Sequence, residues 1–511
     1  MVSRRSTLKG LSLALAGGVL LPRWPAIAQG PDPFPTPLRL PPLLEGVMRD
    51  GVREFDLRLQ TGESRFLPSL VTPTFGINGD YLGPTLTMRR GDHVRMNVTN
   101  ALPEPSNMHW HGLLVPAVCD GGATRVVAPG ETWRPDFEIR QPAATHWYHS
   151  HLMEQTGPQV YKGLAGMLLV EDETTGALEL PKEYGVDDIP LIVQDRNFNA
   201  DGSLRYVTEY ADQIKGIQGN TILVNGTVTP HFVATRALLR LRILNAANAR
   251  TFQFGFADER RFLQISSDGG LLESPLPRTR LILAPAERAD ILLDVSDGAP
   301  VTLVSHGIAN NYPDYPGAMS QFLREIDTQA FEILSIRPQS SLARAGSVPP
   351  VLTRIAPLNA SLAVRTRRLE LMMGGGHRSG EDSGPHTGRR TGFGGGFGGG
   401  SYAINGRRMA MDYINERVPL GELEIWELFN RAPMTHPIHI HNAQFRVLDR
   451  DGEAPPEEER GFKDTVRVRS GELVRLLVRF DHYADPQHAY MYHCHMLEHE
   501  DRGMMGQFVV V

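Results

Sequence analysis

Only two cysteines, Cys119 and Cys494, occur in 511 residues. That excludes a scaffold stapled by many disulfides. Basic residues are not in excess: 52 Lys and Arg stand against 58 Asp and Glu. The net charge of −6 leaves no electrostatic footprint for nucleic acid, which is excluded as a partner. The apolar run over residues 11–21 is shorter than the ~20 residues a membrane-spanning helix needs. No long stretch keeps the 3.6-residue apolar period of an amphipathic helix. What is abundant is turn chemistry, with 51 Gly and 38 Pro. Many short strands joined by turns follow from that. The apolar fraction of 41% and charged fraction of 22% are those of a soluble globular protein, and the length admits three domains.

Residues 1–28 read as a removable leader. Ser3-Arg4-Arg5-Ser6-Thr7-Leu8-Lys9 resembles a twin-arginine export signal, with Thr7 where an aromatic is usual. Ala26-Ile27-Ala28 fits a small-x-small cleavage site. The expectations are passage through the twin-arginine export machinery, a periplasmic location, no membrane insertion of the mature chain, and a monomer.

Period-2 alternation bounded by Gly, Pro or Asn marks strands at Thr85–Val98, Leu238–Leu244, Ala289–Val295 and Glu422–Phe429. The chain therefore reads as all-β. A weak repeat organises it. Ile77-Asn78-Gly79, Val224-Asn225-Gly226 and Ile404-Asn405-Gly406 each precede a strand pair, and the pairs end at Asn100, Asn245 and Asn430. Three sandwich domains are expected, over 45–172, 178–338 and 360–511. Residues 31–42 form a Pro-rich arm. The glycine-rich stretch 374–400 cannot bury a core and is expected to be a loop inside the third domain.

Histidines cluster in four places: His109-Trp110-His111-Gly112, His149-Ser150-His151, His436-Pro437-Ile438-His439-Ile440-His441, and His493-Cys494-His495 followed by His499 and Met504. Residues i and i+2 of a strand share a face, so each HxH pair sends two imidazoles into one site. Cys494 points away from its flanking histidines, toward a second site. With His499, Met504 and a more distant His it forms a His₂Cys set with a weak axial Met, the ligand set of a blue-copper centre. A thiolate so committed is not available for a disulfide with Cys119.

The repeat tests this reading. His109 and His111 lie nine and eleven residues after Asn100; His439 and His441 lie nine and eleven after Asn430. The same offsets from Asn245 reach Phe254 and Phe256, so the middle domain is expected to be structural. His436 lies six after Asn430, where domain 1 has Ser106. Tyr148-His149-Ser150-His151 aligns with Tyr492-His493-Cys494-His495, so Ser150 replaces the cysteine and Gln155 replaces His499. Domains 1 and 3 should then share one cluster at their contact, on a pseudo-twofold axis.

These four motifs, in this order and with these offsets, resemble the three-domain multicopper oxidases, and within them the bacterial periplasmic copper-tolerance oxidases and bacterial laccases. The likeness includes Leu180–Asp188, Ser267–Leu272 and Leu497–Met505. It implies three cupredoxin-like Greek-key β-sandwiches and four copper ions. His436, Cys494, His499 and Met504 would bind type 1 copper, and His109 and His439 type 2 copper. The type 3 pair would be held by His111, His149 and His495 on one ion and by His151, His441 and His493 on the other. Electrons would run from Cys494 to His493 or His495, and dioxygen would be reduced to water. Asp120 and Glu500 match proton-delivering positions; the alternative is that each fixes a ligand imidazole. Cys119 reads as a small buried hydrophobe, and His146 as a neighbour of the ligands or a surface residue. The electron donor is open between Cu(I), phenols or aromatic amines, Mn(II) and a protein. Met373 and Met434 match Cu(I)-contacting positions, which favours Cu(I) and a role in copper tolerance over a general laccase. Against this, residues 374–400 contain no methionine. Rival readings are a ligand-free cell-division protein of the same fold, a copper carrier, and copper nitrite reductase.

Overall fold

The computed structural model describes residues 32–207, 209–308, 326–343, 346–373 and 402–511. The leader over 1–28 and the glycine-rich stretch 374–400 lie outside the described residues.

Among the described residues, strands form six sheets, and each sheet draws on one stretch of chain apart from a strand of the arm. In the first segment, one sheet carries Val52–Ser64 and His93–Asn100; the other carries Thr85–Arg89, Ala165–Glu171, Ala144–His149 and His109–His111. The third segment repeats this plan. One sheet holds Arg365–Met373, Leu423–Asn430 and Leu473–Arg479; the other holds Met505–Val510, Asp485–Cys494, His436–Ile440 and Thr465–Val468. The middle segment has a seven-stranded sheet built on Leu238–Asn245 and Arg288–Asp294, and a six-stranded sheet built on Pro230–Arg236 and Phe331–Ala343. Each segment fills the space between its sheets with its own apolar cluster. Among the described residues no helix is long and apolar enough to cross a membrane.

The Asn-Gly repeat has a physical cause. Asn78, Asn225 and Asn405 all take positive φ, which asparagine tolerates in tight turns. Their amides pin the preceding strand in the same way, donating to the carbonyls of Asp56, Pro190 and Arg368. Asn100, Asn245 and Asn430 form a second set. Each accepts from the backbone N–H two residues on and donates its amide to two main-chain carbonyls. Equal offsets from these asparagines therefore reach equivalent places.

Two details depart from the sequence reading. The alternation over Thr85–Val98 is two strands, Thr85–Arg89 and His93–Asn100, in different sheets. Gly91, at φ +90°, lets the chain turn between them. The Pro-rich arm is integrated: Thr36–Pro37 pairs in parallel with Pro230 and His231, and Leu38 and Leu40 pack on the middle core.

Candidate metal centre

The histidine strands lie side by side. His109–His111 pairs antiparallel with Ala144–His149, setting His109 opposite His149. His436–Ile440 pairs with Asp485–Cys494, setting His439 opposite His493. The two halves meet ring to ring. His109 stacks on His441 at 4.0 Å between centroids, and His111 on His439 at 3.6 Å. Exchanging the halves exchanges the two stacks, as a pseudo-twofold relation requires. All eight HxH imidazoles are buried.

The outer nitrogens are tethered. His109 Nδ1 lies 2.9 Å from the Asp120 carbonyl, and His439 Nδ1 lies 2.8 Å from that of Asp464. His441 Nδ1 lies 2.7 Å from Asp120 Oδ2, and His111 Nε2 lies 3.0 Å from Asp464 Oδ1. Asp120 and Asp464 are thus counterparts, each holding one stacked pair. His149 Nδ1 and His493 Nδ1 face the carbonyls of Ser150 and Cys494. A ring donating outward keeps a lone pair directed inward. The inner nitrogens show this: His109 Nε2, His111 Nδ1, His149 Nε2 and His439 Nε2 are buried without a hydrogen-bond partner. They converge in three groups, His109/His439/His441, His111/His149/His495 and His151/His441/His493, each with its ligand atoms within 4.8 Å of one another. Burial holds His109, His111, His149, His439, His441 and His495 well below the usual histidine pKa, so these rings are neutral bases.

The second site is one residue away. Ile438 is the register partner of Cys494. Cys494 Sγ lies 3.4 Å from His436 Nδ1 and 3.7 Å from His499 Nδ1, and the two nitrogens are 3.3 Å apart. His499 comes from the short helix Leu497–Glu500. Its Nε2 faces the Ile214 carbonyl at 2.8 Å, and the Tyr402 ring lies over it at 4.6 Å. The Met504 N–H donates to the His499 carbonyl and its own carbonyl accepts from Cys494, so backbone bonds hold Met504 beside both. Burial pushes the Cys494 thiol well up. A thiolate there needs a bound cation beside it. Soft sulfur with two imidazoles and a nearby thioether suits copper.

Cys119 is also a free, buried thiol, close to the Asp136 carbonyl. Glu500 is buried between His151 Nδ1 at 3.3 Å and His493 Nδ1 at 3.2 Å. Met434 is fully buried in the core that contains Cys494 and Met504, and Met373 packs partly buried against it. Gln155 only precedes the helix Thr156–Lys162. His146 is buried, not superficial, and its Nδ1 lies 3.2 Å from Arg288 Nη2. Burial first, then that guanidinium, hold its pKa at about 3.

Sequence reasoning missed Asp464, Arg288, Gln159 and Trp147, which stacks on His149 at 4.1 Å. Gln159 carries no spacing signal. Trp147 had one: it precedes the Tyr-His-x-His motif on a strand, two residues before His149.

An all-β scaffold with two adjoining sets of buried nitrogen and sulfur donors defines a class of metal-dependent redox protein. Comparison narrows it. Two family models, both described as multicopper oxidase, match residues 58–175 and 384–511. The chain is 34% identical over 467 residues to a multicopper oxidase, mco, of Staphylococcus haemolyticus (strain JCSC1435), covering 90% of this chain and 89% of that protein. It is also 36% identical over 509 residues to the cell division protein FtsP of Rahnella sp. (strain Y9602), covering 100% and 99%. Among solved structures, a bacterial laccase-like multicopper oxidase CueO from Ochrobactrum sp. superposes with a TM-score of 0.79 at 35% identity, covering 93% of this chain and 100% of that one. A multicopper oxidase of Campylobacter jejuni, described as a metallo-oxidase, gives 0.77 at 26% identity, covering 94% and 97%. The chain belongs to the multicopper oxidase family, and its segments are cupredoxin-like β-sandwiches. Copper binding, oxidoreductase chemistry, dioxygen and a reducing substrate come with that family.

Proposed function

We propose that the protein is an exported, periplasmic oxidase with three domains at 45–172, 178–338 and 360–511 that takes electrons from Cu(I) and reduces dioxygen to water with four coppers. His436, Cys494, His499 and Met504 would hold the type 1 ion; His109 and His439 the type 2 ion; His111, His149, His495 and His151, His441, His493 the type 3 pair. The observation that carries this reading is Cys494 itself. Its sulfur faces His436 and His499, while its chain neighbours His493 and His495 belong to the convergent imidazole groups. One peptide unit on either side thus joins the two sites.

Copper at these positions supplies one-electron transfer and the reduction of dioxygen to water. The chain supplies orientation and protons. Asp120 and Asp464 fix ring directions, and tethered rings leave inner lone pairs free. Forming two waters consumes four protons. Glu500 is placed to pass them, since its oxygens lie within 3.3 Å of His151 Nδ1 and His493 Nδ1. Glu500→Gln is expected to slow dioxygen reduction at least tenfold while leaving reduction of the type 1 ion unchanged; rapid mixing with oxygen separates the two.

For the donor, Met373 offers a soft thioether at the edge of the core that holds Cys494. Cu(I) turnover should weaken in Met373→Leu/Met434→Leu while turnover of a phenol does not. A laccase role is the second reading, favoured by the methionine-free stretch 374–400 and by the oxidase activity toward lignin model compounds described for the Ochrobactrum relative. Phenol turnover exceeding Cu(I) turnover would establish it. The relatives named as cell division proteins raise a non-catalytic reading. The full set of ten histidines, Cys494 and Met504 argues against it, and a purified chain that takes up no copper would revive it.

A further inference from the structure

The middle segment supplies none of the candidate ligands, yet its Arg288 side chain reaches the groups that hold the cluster's imidazoles. Arg288 is fully buried. Its Nη1 donates to Asp464 Oδ1 and its Nη2 to Asp464 Oδ2, both at 2.7 Å. Its Nε donates to the Thr145 carbonyl at 2.9 Å, and Nη2 also reaches the Asp268 carbonyl at 3.0 Å. Arg288 and Asp268 belong to the middle segment, Thr145 and His146 to the first, and Asp464 to the third. One guanidinium therefore ties all three together beside the metal centre.

Asp464 connects this clamp to the imidazoles. Its Oδ1 faces His111 Nε2, its carbonyl faces His439 Nδ1, and Thr465 Oγ1 backs both contacts. We propose, resting on the copper reading above, that Arg288 is a positioning residue for the stacked pair His111 and His439. It locks Asp464, whose carboxylate sets the ring direction of His111 and whose main-chain carbonyl sets that of His439, and so the nitrogen that each histidine turns inward. A planar guanidinium engages both carboxylate oxygens at once and leaves Nε for Thr145; an ammonium lacks that fork.

A glycine gives independent support. Gly112, directly after His111, has φ +88°, and a Cβ there would lie 2.5 Å from Asp464 Oδ2, 2.5 Å from His146 Nδ1 and 3.0 Å from Arg288 Nη2. The close approach of these three groups is possible only because position 112 has no side chain. On the other side of the pseudo-twofold axis the equivalent position is Asn442. Among the described residues, no arginine or lysine pairs with Asp120, the counterpart of Asp464. The clamp is thus specific to one half of the centre, and symmetry alone does not account for it.

The test compares copper-loaded wild type with Arg288→Lys, Asp464→Asn and Arg278→Gln. Arg278 pairs with Glu458 at 2.7 Å across the same boundary between the middle and third segments, but holds no imidazole. Each protein is titrated with a chelator while bound copper, the paramagnetic signal of the type 2 ion and the blue absorbance are followed. Arg288→Lys and Asp464→Asn should keep the blue band but release cluster copper at about 10–100-fold lower chelator concentration, with Arg278→Gln matching wild type. Cluster copper held as tightly in both variants as in wild type would overturn the proposal. So would loss of blue band and cluster copper together with a lowered unfolding temperature, since Arg288 would then be a general interface clamp. A colourless wild type without bound copper would instead remove the reading on which the proposal rests.

Discussion

The first and third segments share one backbone plan and differ at one spot. Where the third gathers His436, Cys494 and His499, the first has Ser106, Ser150 and Gln159. The Gln159 amide oxygen accepts from Ser106 Oγ at 2.8 Å and from Ser150 Oγ at 2.6 Å. Its Nε2 donates to the Pro105 carbonyl at 2.8 Å and to Glu104 at 3.1 Å. A neutral hydrogen-bonded plug thus fills the space that the other segment lines with sulfur and imidazole. The HxH pairs beside it are equally complete in both segments. The sulfur–imidazole set and the paired imidazoles are therefore separable parts of the same sandwich, and a few side chains decide whether the first part exists.

The strongest way to break this contrast is at sulfur. Cys494→Ser should abolish the blue absorbance and reduce oxidase activity to background, with the circular dichroism of the β-fold unchanged. The reverse change, Ser150→Cys, should leave a Cys494→Ser protein colourless, because Gln159 and Ser106 offer no imidazole. Any blue band in that double variant would show that the plug yields easily.

What the halves share predicts a pH effect. Burial holds His146 at about 3 and His109, His111, His149, His439, His441 and His495 well below 6.5. In the unfolded chain these groups bind protons near 6.5. Their depressed values make the folded state most stable above that pH and weaken it as pH falls below it, by about 1.4 kcal/mol per pH unit for each proton refused. The copper-free protein should accordingly melt well below its pH 7.5 value at pH 5.5 in calorimetry. Copper loading at pH 7.5, which requires neutral imidazoles, should raise the melting temperature.

The plug itself predicts a smaller loss. Gln159→Leu would leave two buried hydroxyls without their acceptor, at about 1–3 kcal/mol each. Urea denaturation should show that loss while the blue band persists. Smallest is the other cysteine. Cys119→Ala removes one modest packing group and should cost about 1 kcal/mol, with colour and copper content unchanged.

The imidazole pairs, Cys494 and the silent middle offsets were legible because strand geometry fixes i and i+2 on one face and the repeat asparagines fix the frame. Arg288 and Asp464 were not. Neither sits in an HxH motif, and their meeting depends on how three segments dock. Alternation also misleads where both faces are covered. Arg240 and Arg242 are the polar members of the alternation over Leu238–Leu244, yet both are buried against Asp290 and Asp188 of their own segment, and Arg242 reaches Thr145 of the first. The single strand expected over Thr85–Val98 failed for a local reason: alternation continued across Gly91, where the backbone turns.

His151 and His493 face one another at 3.1 Å across 342 residues of sequence. Time enters here. A ribosome making the chain from its N-terminus completes the first half of the centre long before the second exists, and the clamp from Arg288 falls between them. No nascent chain that stops before Met504 offers both complete donor sets, however well its first sandwich has folded. Copper delivered during synthesis would meet half-sites able to hold it in the wrong number. Both donor sets are therefore complete only in the finished, docked protein.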